Sequence, residues 1–548
     1  MNIADYTIVF LFLVVMFGVG SVFYKWIGNS DDFYVAGRNL TPFILAADIA
    51  ATNINLYGMI GQSGVAYKHG IPIIWQCWTG NMAMIFSGLF IIPIYRRLRI
   101  RTIPEFLEMR YSRGVRTLVA LIWVIRLAFW LGVILYAAVT AARIVTGLHS
   151  FTSLALILSV VVIIYTMLGG MWSVTFTDVI QFVLMLGGAL VLLPLAMSFV
   201  GWWPGLVAKL PPGSLTLVQQ SGKYSWKFIL AIFLLGIEWA SIDQGLLQRA
   251  FGAQNTRTVA KGLVLAGIIT TPFALLWILP GLAGKIIFPA LANADTAVPM
   301  LLAHFIPHIV LGIIVVGMLS SQLSATSGNL NGIATVFASD IYENVLNRKA
   351  TQKDVILVAR IITVVAGVGM LLFAYLVPLL GGAVNAYLTI IAIMDMPLFV
   401  ITVIYGLLWK RANWQGAIAG YLSGALAGVS CQHFFSLNFN LTTYISAGTA
   451  LLITPIVSLL TPPSNNNSVE RIWQAKSTSE EEAKANNVYN IIPRTVWGRI
   501  SLVVLFIGLI AFLVGVFMGS EGLGLASFIA VAGMGTYFIG GFLRTYTN

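Results

Sequence analysis

Apolar runs of about twenty residues, each long enough to cross a hydrocarbon core, recur from one end of the chain to the other between short polar breaks. They predict about fifteen membrane-spanning helices, beginning near residues 6, 41, 71, 115, 150, 173, 225, 258, 307, 353, 384, 415, 441, 496 and 522. Two of the runs violate their own pattern. The stretch AADIAATNINLYGMIGQSGVAY (residues 46–67) places Asp48, Thr52, Asn53 and Asn55 inside a span, with glycines at 58, 61 and 64. Lipid supplies no hydrogen bond to such side chains or to a loosened backbone. The second, FLLGIEWASIDQGLLQR (residues 233–249), comes five spans later. One polar, kinked helix is explained by packing against its neighbours, since membrane helices tolerate glycine. Two interruptions at matching places in two halves point instead to an inverted-repeat transporter.

Composition narrows the class. Of 548 residues, 59% are hydrophobic and 9% charged, whereas a soluble domain carries about a quarter charged residues. With a mean hydropathy of +0.91, the chain is expected to be an all-α polytopic membrane protein. Its formal charge of +12 would suggest nucleic acid, but the basic residues concentrate in alternate loops. YRRLRIRTIPEFLEMRYSRGVR (residues 95–116) holds most of one cluster. Arg249, Arg257 and Lys261, then Arg348, Lys349 and Lys353, then Lys410 and Arg411, fall in alternate loops thereafter. The positive-inside rule makes these cytoplasmic, which puts the N-terminus outside and the C-terminus, with Arg544, inside. The polar stretch 462–495 reads as a mobile cytoplasmic linker. Cys77 and Cys431 lie in apolar runs and suggest no disulfide. The N-terminal run lacks a basic start and a cleavage site, so it reads as a retained span. The five histidines make no regular pair, and no nucleophile elbow, phosphate loop or zinc motif is present. Neither an enzyme nor an obligatory protein partner is expected.

Several motifs carry a resemblance. YTMLGGMWSVTFTDVIQ (residues 165–181) resembles the signature of the sodium:solute symporter family, whose best-known members carry glucose, proline, sialic acid and iodide. RTIPEFLEMRYSRGVRTL is similar to its cytoplasmic loop, DQGLLQRAF to the end of its second broken helix, and SDIYENVL to the close of its ion-binding helix. ANADTAVPMLL and GLLWKRANWQGAIAG extend the likeness, which covers roughly residues 5–430 in unbroken order. It implies a LeuT-type fold of two inverted five-helix repeats, at 41–200 and 201–412. A peripheral helix and loop (1–40) precede them, and peripheral helices (413–548) follow. It also implies sodium-driven alternating access in the inner (plasma) membrane.

The resemblance places sodium ligands on the carbonyls of Ala51 and Ile54, the carbonyl of Ser321 and the hydroxyl of Ser324. Ala325 stands where many members have a second hydroxyl. Three readings stay open there: water completes the shell, the site is weakened, or coupling has moved to protons, with Asp178, Asp48 or Glu238 as carriers. Asp178 itself matches an acidic residue near the ion exit or a second ion.

Arg126, about ten residues beyond Arg116 and so roughly 15 Å along a helix, shares the apolar runs with Asp48, Glu238, Asp243 and Asp395. Buried charges need partners or water. Arg126 either pairs with one of these acids or binds the carboxylate of an anionic solute, although the arginine of sialic-acid members falls at Trp130 here. The sugar-contacting positions of galactose carriers fall on Gly58, Cys77, Gly80, Gly236 and Thr389, and only the aromatic gate persists, as Trp239. Loss of those partners argues against galactose bound in the family's usual way. Asn53, Asn55, Trp75, Gln76, Trp78 and Glu238 offer a different lining. The expected function is sodium-coupled symport of a small polar solute, a sugar or polyol first. A proton-coupled carrier, a carrier of an organic anion such as a sialic acid, and a solute sensor are the alternatives.

Overall fold

The computed structural model describes residues 1–23, 29–380, 383–463, 468–477 and 488–547, and among these no β-structure exceeds an isolated bridge. Nine described helices are long and apolar enough to cross a membrane, and up to twelve if each bent pair counts as one span. Ile3–Met16 and Phe151–Ile164 are shorter apolar helices, and Trp414–His433 adds another of 20 residues. The hydropathy count is reached only when these also count as spans.

Both expected interruptions are real. Thr41 caps the first helix by accepting from the Ile44 amide, Pro42 opens it, and regular helix runs Pro42–Asn53. Ile54 then leaves helical geometry (φ −87°, ψ 89°). Asn55 restarts the helix, its Oδ1 accepting from the Gly58 amide at 3.2 Å. The next turn, Tyr57–Gln62, is wound as π-helix, a form that accumulates at functional sites. The two segments meet at 47°. In the second broken helix, Trp226–Ile242 and Gln244–Phe251 meet at 45°. Asp243 forms that corner and caps the second segment through the Leu246 amide. A third bend of 42° divides Ile71–Phe90 from Ile92–Leu98, just before Pro93. Proline inside an apolar run removes a ladder bond and kinks the helix. The start of the first broken helix is tied to the end of the second, where the Leu40 amide donates to the Gly252 carbonyl at 2.9 Å.

Helical backbone continues from Phe151 to Val200, roughly 75 Å if it were straight. It doubles back instead. Phe151 packs against Tyr136 and Tyr375, and Phe199 against Phe305, all toward the face that carries Asp295. Between them Trp172 lies beside Gly37, at the opposite face. Phe151–Ile164 and Met171–Val200 are thus antiparallel legs. Val310–Leu346 is the central pillar, 83% buried over its most apolar window, against 33% for the peripheral Val496–Ser520.

The arginine-rich loop does more than set orientation. Arg110 donates to the carbonyls of Gly406 (2.9 Å), Trp409 (2.7 Å) and Ala412 (3.0 Å), closing the end of Ala383–Leu408. Arg116 pairs with Asp340 and Glu108. The expected mobile linker is corrected in part. Residues 464–467 and 478–487 lie outside the described residues, but Ser468–Gln474 is a helix whose Trp473 ring packs beneath the cations of Arg110, Lys410 and Lys476. Tyr489 is buried nearby. Cation–π contacts and burial hold this segment against the Arg116 face.

In lipid, helix association rests on close packing rather than on exclusion of water. The last two helices, Val496–Ser520 and Ala526–Tyr546, use glycine for this. A Cβ on Gly508, Gly515, Gly533 or Gly540 would strike backbone of the partner helix. Gly515→Leu should therefore destabilise the protein by about 1–3 kcal/mol, the usual cost of overpacking. Thermal unfolding followed by tryptophan fluorescence would show a lower midpoint, with sodium binding retained.

Candidate functional site

The two breaks face a common cavity of about 140 Å³, enough for several waters or part of a small solute. Its walls come from the first broken helix (Thr52 to Gly58, and Gln62), the second (Ile232 to Arg249) and Ile74–Phe90 (Gln76, Cys77, Gly80, Asn81), together with Trp130, Trp277, Ala325, Asn329 and Tyr387. The π-turn swings Gln62 inward, where it organises one wall. Its Nε2 donates to Gln76 Oε1 at 3.0 Å, and its Oε1 accepts from Trp277 Nε1 at 2.9 Å and Cys77 Sγ at 3.1 Å. Gln76 Nε2 in turn donates to the Tyr57 hydroxyl at 2.7 Å. On another wall Asn81 bonds Thr270 and Thr271, both at 3.0 Å. Tyr57, Trp130 and Tyr387 form an aromatic cluster, with centroids 4.5–5.4 Å apart.

At the expected sodium site, the Ile54 amide donates to the Ala50 carbonyl at 3.1 Å, the closing bond of the first helical segment. Val310–Thr335 runs unbroken through Ser321 and Ser324, so the Ser321 carbonyl sits within a helical ladder. The side-chain oxygens are the free groups. Ser320, Ser321 and Ser324 hydroxyls are buried without a hydrogen-bond partner. Such orphaned oxygens are the ligands a hard cation takes, so the residues present fit sodium, with the Ser321 hydroxyl available beside the second lone pair of its carbonyl. Neighbouring hydroxyls are occupied: Ser327 donates to the Ser324 carbonyl, and Thr326 accepts from Gln322. The Ala325 carbonyl accepts from Asn329 Nδ2 at 2.8 Å.

Two buried arginines brace the site. Arg249 donates to Asp48 Oδ1 at 2.6 Å and to Asp178 Oδ2 at 3.1 Å, joining the second broken helix to the first and to Met171–Val200. Its guanidinium lies against Gly328, where any Cβ would collide with it. This close approach one turn past Ser324 requires glycine. Asp178, expected near the ion exit, is placed here: its Oδ2 also reaches the Thr52 hydroxyl at 3.5 Å, and its Oδ1 has no partner. Arg126 donates to Asp395 Oδ2 at 2.9 and 2.6 Å and to Asp243 Oδ2 at 2.9 Å.

The structure gathers Asn53, Ile54, Asn55, Gly58, Gln76, Cys77, Trp239 and Ala325 around the cavity. Five expected lining residues lie elsewhere. Arg126 is 2% exposed and committed to two carboxylates from other elements. Glu238 does not line the cavity, and its charged neighbours belong to that cluster. Trp75 is fully buried, with Nε1 donating to the Leu217 carbonyl and its ring against Trp78 and Phe512. Trp78 is held likewise, through the Thr271 carbonyl. Thr389 lines a separate cavity of about 640 Å³ with Lys223, Lys227 and Asn385. The residues that sequence reasoning passed over are Gln62, Tyr57, Asn81, Trp277 and Tyr387. Gln62 and Tyr57 stood within the suspicious stretch, and a polar side chain inside an apolar span was the available signal.

The profile of the sodium:solute symporter family matches residues 33–424. The chain belongs to the sodium:solute symporter family. It is a multi-pass membrane transporter and not an enzyme, and Na+ is its coupling ion. The sodium/glucose cotransporter of Vibrio parahaemolyticus is similar to it, 27% identical over 465 residues, covering 77% of this chain and 84% of that protein. The human sodium/iodide cotransporter is 26% identical over 457 residues, covering 77% and 68%. In fold the symporter resembles a Na+-coupled sialic acid symporter captured substrate-bound and outward-open. The TM-score is 0.77 at 22% identity, over 85% of this chain and 99% of that one.

Removing one member of a buried ion cluster strands the others at about 3–5 kcal/mol. Arg126→Gln should therefore lower the thermal midpoint sharply in the absence of any solute, as scanning fluorimetry would record.

Proposed function

We propose that this symporter carries a small neutral polyhydroxylated solute, a sugar or polyol, in the cavity between its two broken helices. The supporting observation is the charge state of the cavity wall. Its polar wall is uncharged, with amides and a hydroxyl on Gln62, Gln76, Asn53, Asn81 and Tyr57 among it, while its two charged residues, Asp243 and Arg249, are both engaged in buried ion pairs. Carboxamides interleaved with aromatic faces suit hydroxyls and ring C–H groups. A carboxylate solute would need a free cation, and the candidate Arg126 already has two acids. The Vibrio relative, a sodium/glucose cotransporter, agrees with this class.

Sodium binds first in this reading, among the carbonyls of Ala51 and Ile54 and the hydroxyls of Ser321 and Ser324. Fixing the Ile54 break preorganises Asn53, Asn55 and Tyr57 on the adjoining cavity wall. Solute affinity thereby rises without the ion touching the solute, a coupling that is reciprocal. The chain would cross the inner membrane about fifteen times, ten of them in two inverted five-helix repeats and the rest in peripheral helices, with the N-terminus outside and the Arg116 face toward the cytoplasm.

Scanning fluorimetry of the purified protein against glucose, other hexoses, inositols, sialic acids and amino acids, each with Na+ or K+, identifies the class, since a ligand of the folded state raises the midpoint by mass action. A neutral sugar or polyol should stabilise in Na+ only; stabilisation by anions alone would refute the proposal. Ser324→Ala should raise the half-saturating Na+ concentration about tenfold, the effect of losing roughly 1.4 kcal/mol of ligation. An unchanged sodium dependence would remove Ser324 from the site.

A further inference from the structure

Glu238 has no part in the cavity, in the sodium site or in any described hydrogen bond. It is fully buried, and neither carboxylate oxygen has a partner. Its charged neighbours are Asp395 on Ala383–Leu408, Arg126 on Arg113–Thr146, and Asp243 on its own broken helix. Tyr387 faces the same cluster, and Tyr421 lies beside Asp395. Phe439–Leu460 and Ile74–Phe90, also packed against the Glu238 helix, contain no acidic or basic residue.

Charge bookkeeping then becomes restrictive. Arg126 is balanced by Asp395 and Asp243, so this triad already carries one net negative charge. An ionised Glu238 would raise that to two, with no donor within reach. An isolated carboxylate in such surroundings neutralises rather than stay charged. Asp395 Oδ1 is likewise buried and unpartnered, so the cluster holds free acceptor oxygens and lacks a positive charge.

We propose that Glu238 is a proton-binding site of the transporter, its carboxyl neutral in this conformation and released to ionise when the second broken helix moves. The linkage is geometric. Glu238 stands five residues before the Asp243 corner, and Asp243 spends Oδ1 on the Leu246 amide and Oδ2 on Arg126. Movement at the corner that draws Asp243 from Arg126 frees one side of the guanidinium. Glu238 can then lose its O–H proton to cavity water and take the vacated place as carboxylate. The return stroke reverses both steps, so each cycle releases one proton and takes one up, beside the sodium ion.

This inference needs no solute and stands or falls apart from the sugar or polyol reading. Infrared spectra of the purified full-length protein at neutral pH should contain a protonated-carboxyl C=O band. Glu238→Gln should remove one carboxyl of its intensity, and Glu238→Asp should shift it. Glu343→Gln, at the Arg116 face, should leave it unchanged. Glu238→Gln should also unfold at the wild-type temperature, because a carboxamide copies the neutral acid. A band of full intensity in Glu238→Gln, or no such band in the wild type, would overturn the proposal. So would a loss of stability in Glu238→Gln as large as that of Arg126→Gln, which would mark Glu238 as an ionised partner.

Discussion

At Ile54 a helix stops inside what the rest of the sequence declares to be a membrane, and the hydrocarbon around the protein offers nothing to the exposed peptide groups. Most of the architecture answers that constraint. Asn55 recaps the chain, the serine face of Val310–Thr335 lies alongside, and a second interrupted helix stands opposite with Asp243 as its corner. A cavity lined by aromatic, aliphatic and carboxamide side chains lies between the two breaks. In the proposed reading the ion is the remaining partner of the break, and the adjoining cavity takes its geometry from the bound ion.

The buried arginines make the arrangement rigid enough to be useful. Arg249 spans the two broken helices, and Arg126 ties the Asp243 corner to Ala383–Leu408. A desolvated ion pair contributes little net stability against a well-packed apolar alternative, yet it is costly to break from one side. Such a cluster resists partial displacement and favours two discrete arrangements over a continuum. That is the property an alternating-access carrier needs at its hinge. It also explains why these charges are unavailable to a solute.

Much of this was legible in the chain. The breaks announced themselves through polar residues and glycines where apolar ones were due, and motifs around Asp178, Ser321 and Ser324 pointed to the helices that pack beside the first break. Three things were hidden. The partners of Arg126 lie 117 and 269 residues away in sequence, a separation that leaves no periodic trace. The π-turn at Tyr57–Gln62 rotates the following residues relative to a regular helix, so Gln62 enters the cavity against α-helical phasing. Trp75 and Trp473 could each have faced lipid or solvent, and only their distant partners, the Leu217 carbonyl and the cations around Arg110, decide otherwise.

The central claim is that sodium completes the interrupted backbone of the first broken helix. Hydrogen–deuterium exchange of peptides covering residues 50–58, in Na+ and in K+ without solute, examines it most directly. Sodium should slow exchange there and along the Ser321–Ser324 turn, while the peripheral helices after residue 496 stay unchanged. Equal exchange at residues 50–58 in the two cations, with the protein folded in both, would contradict it.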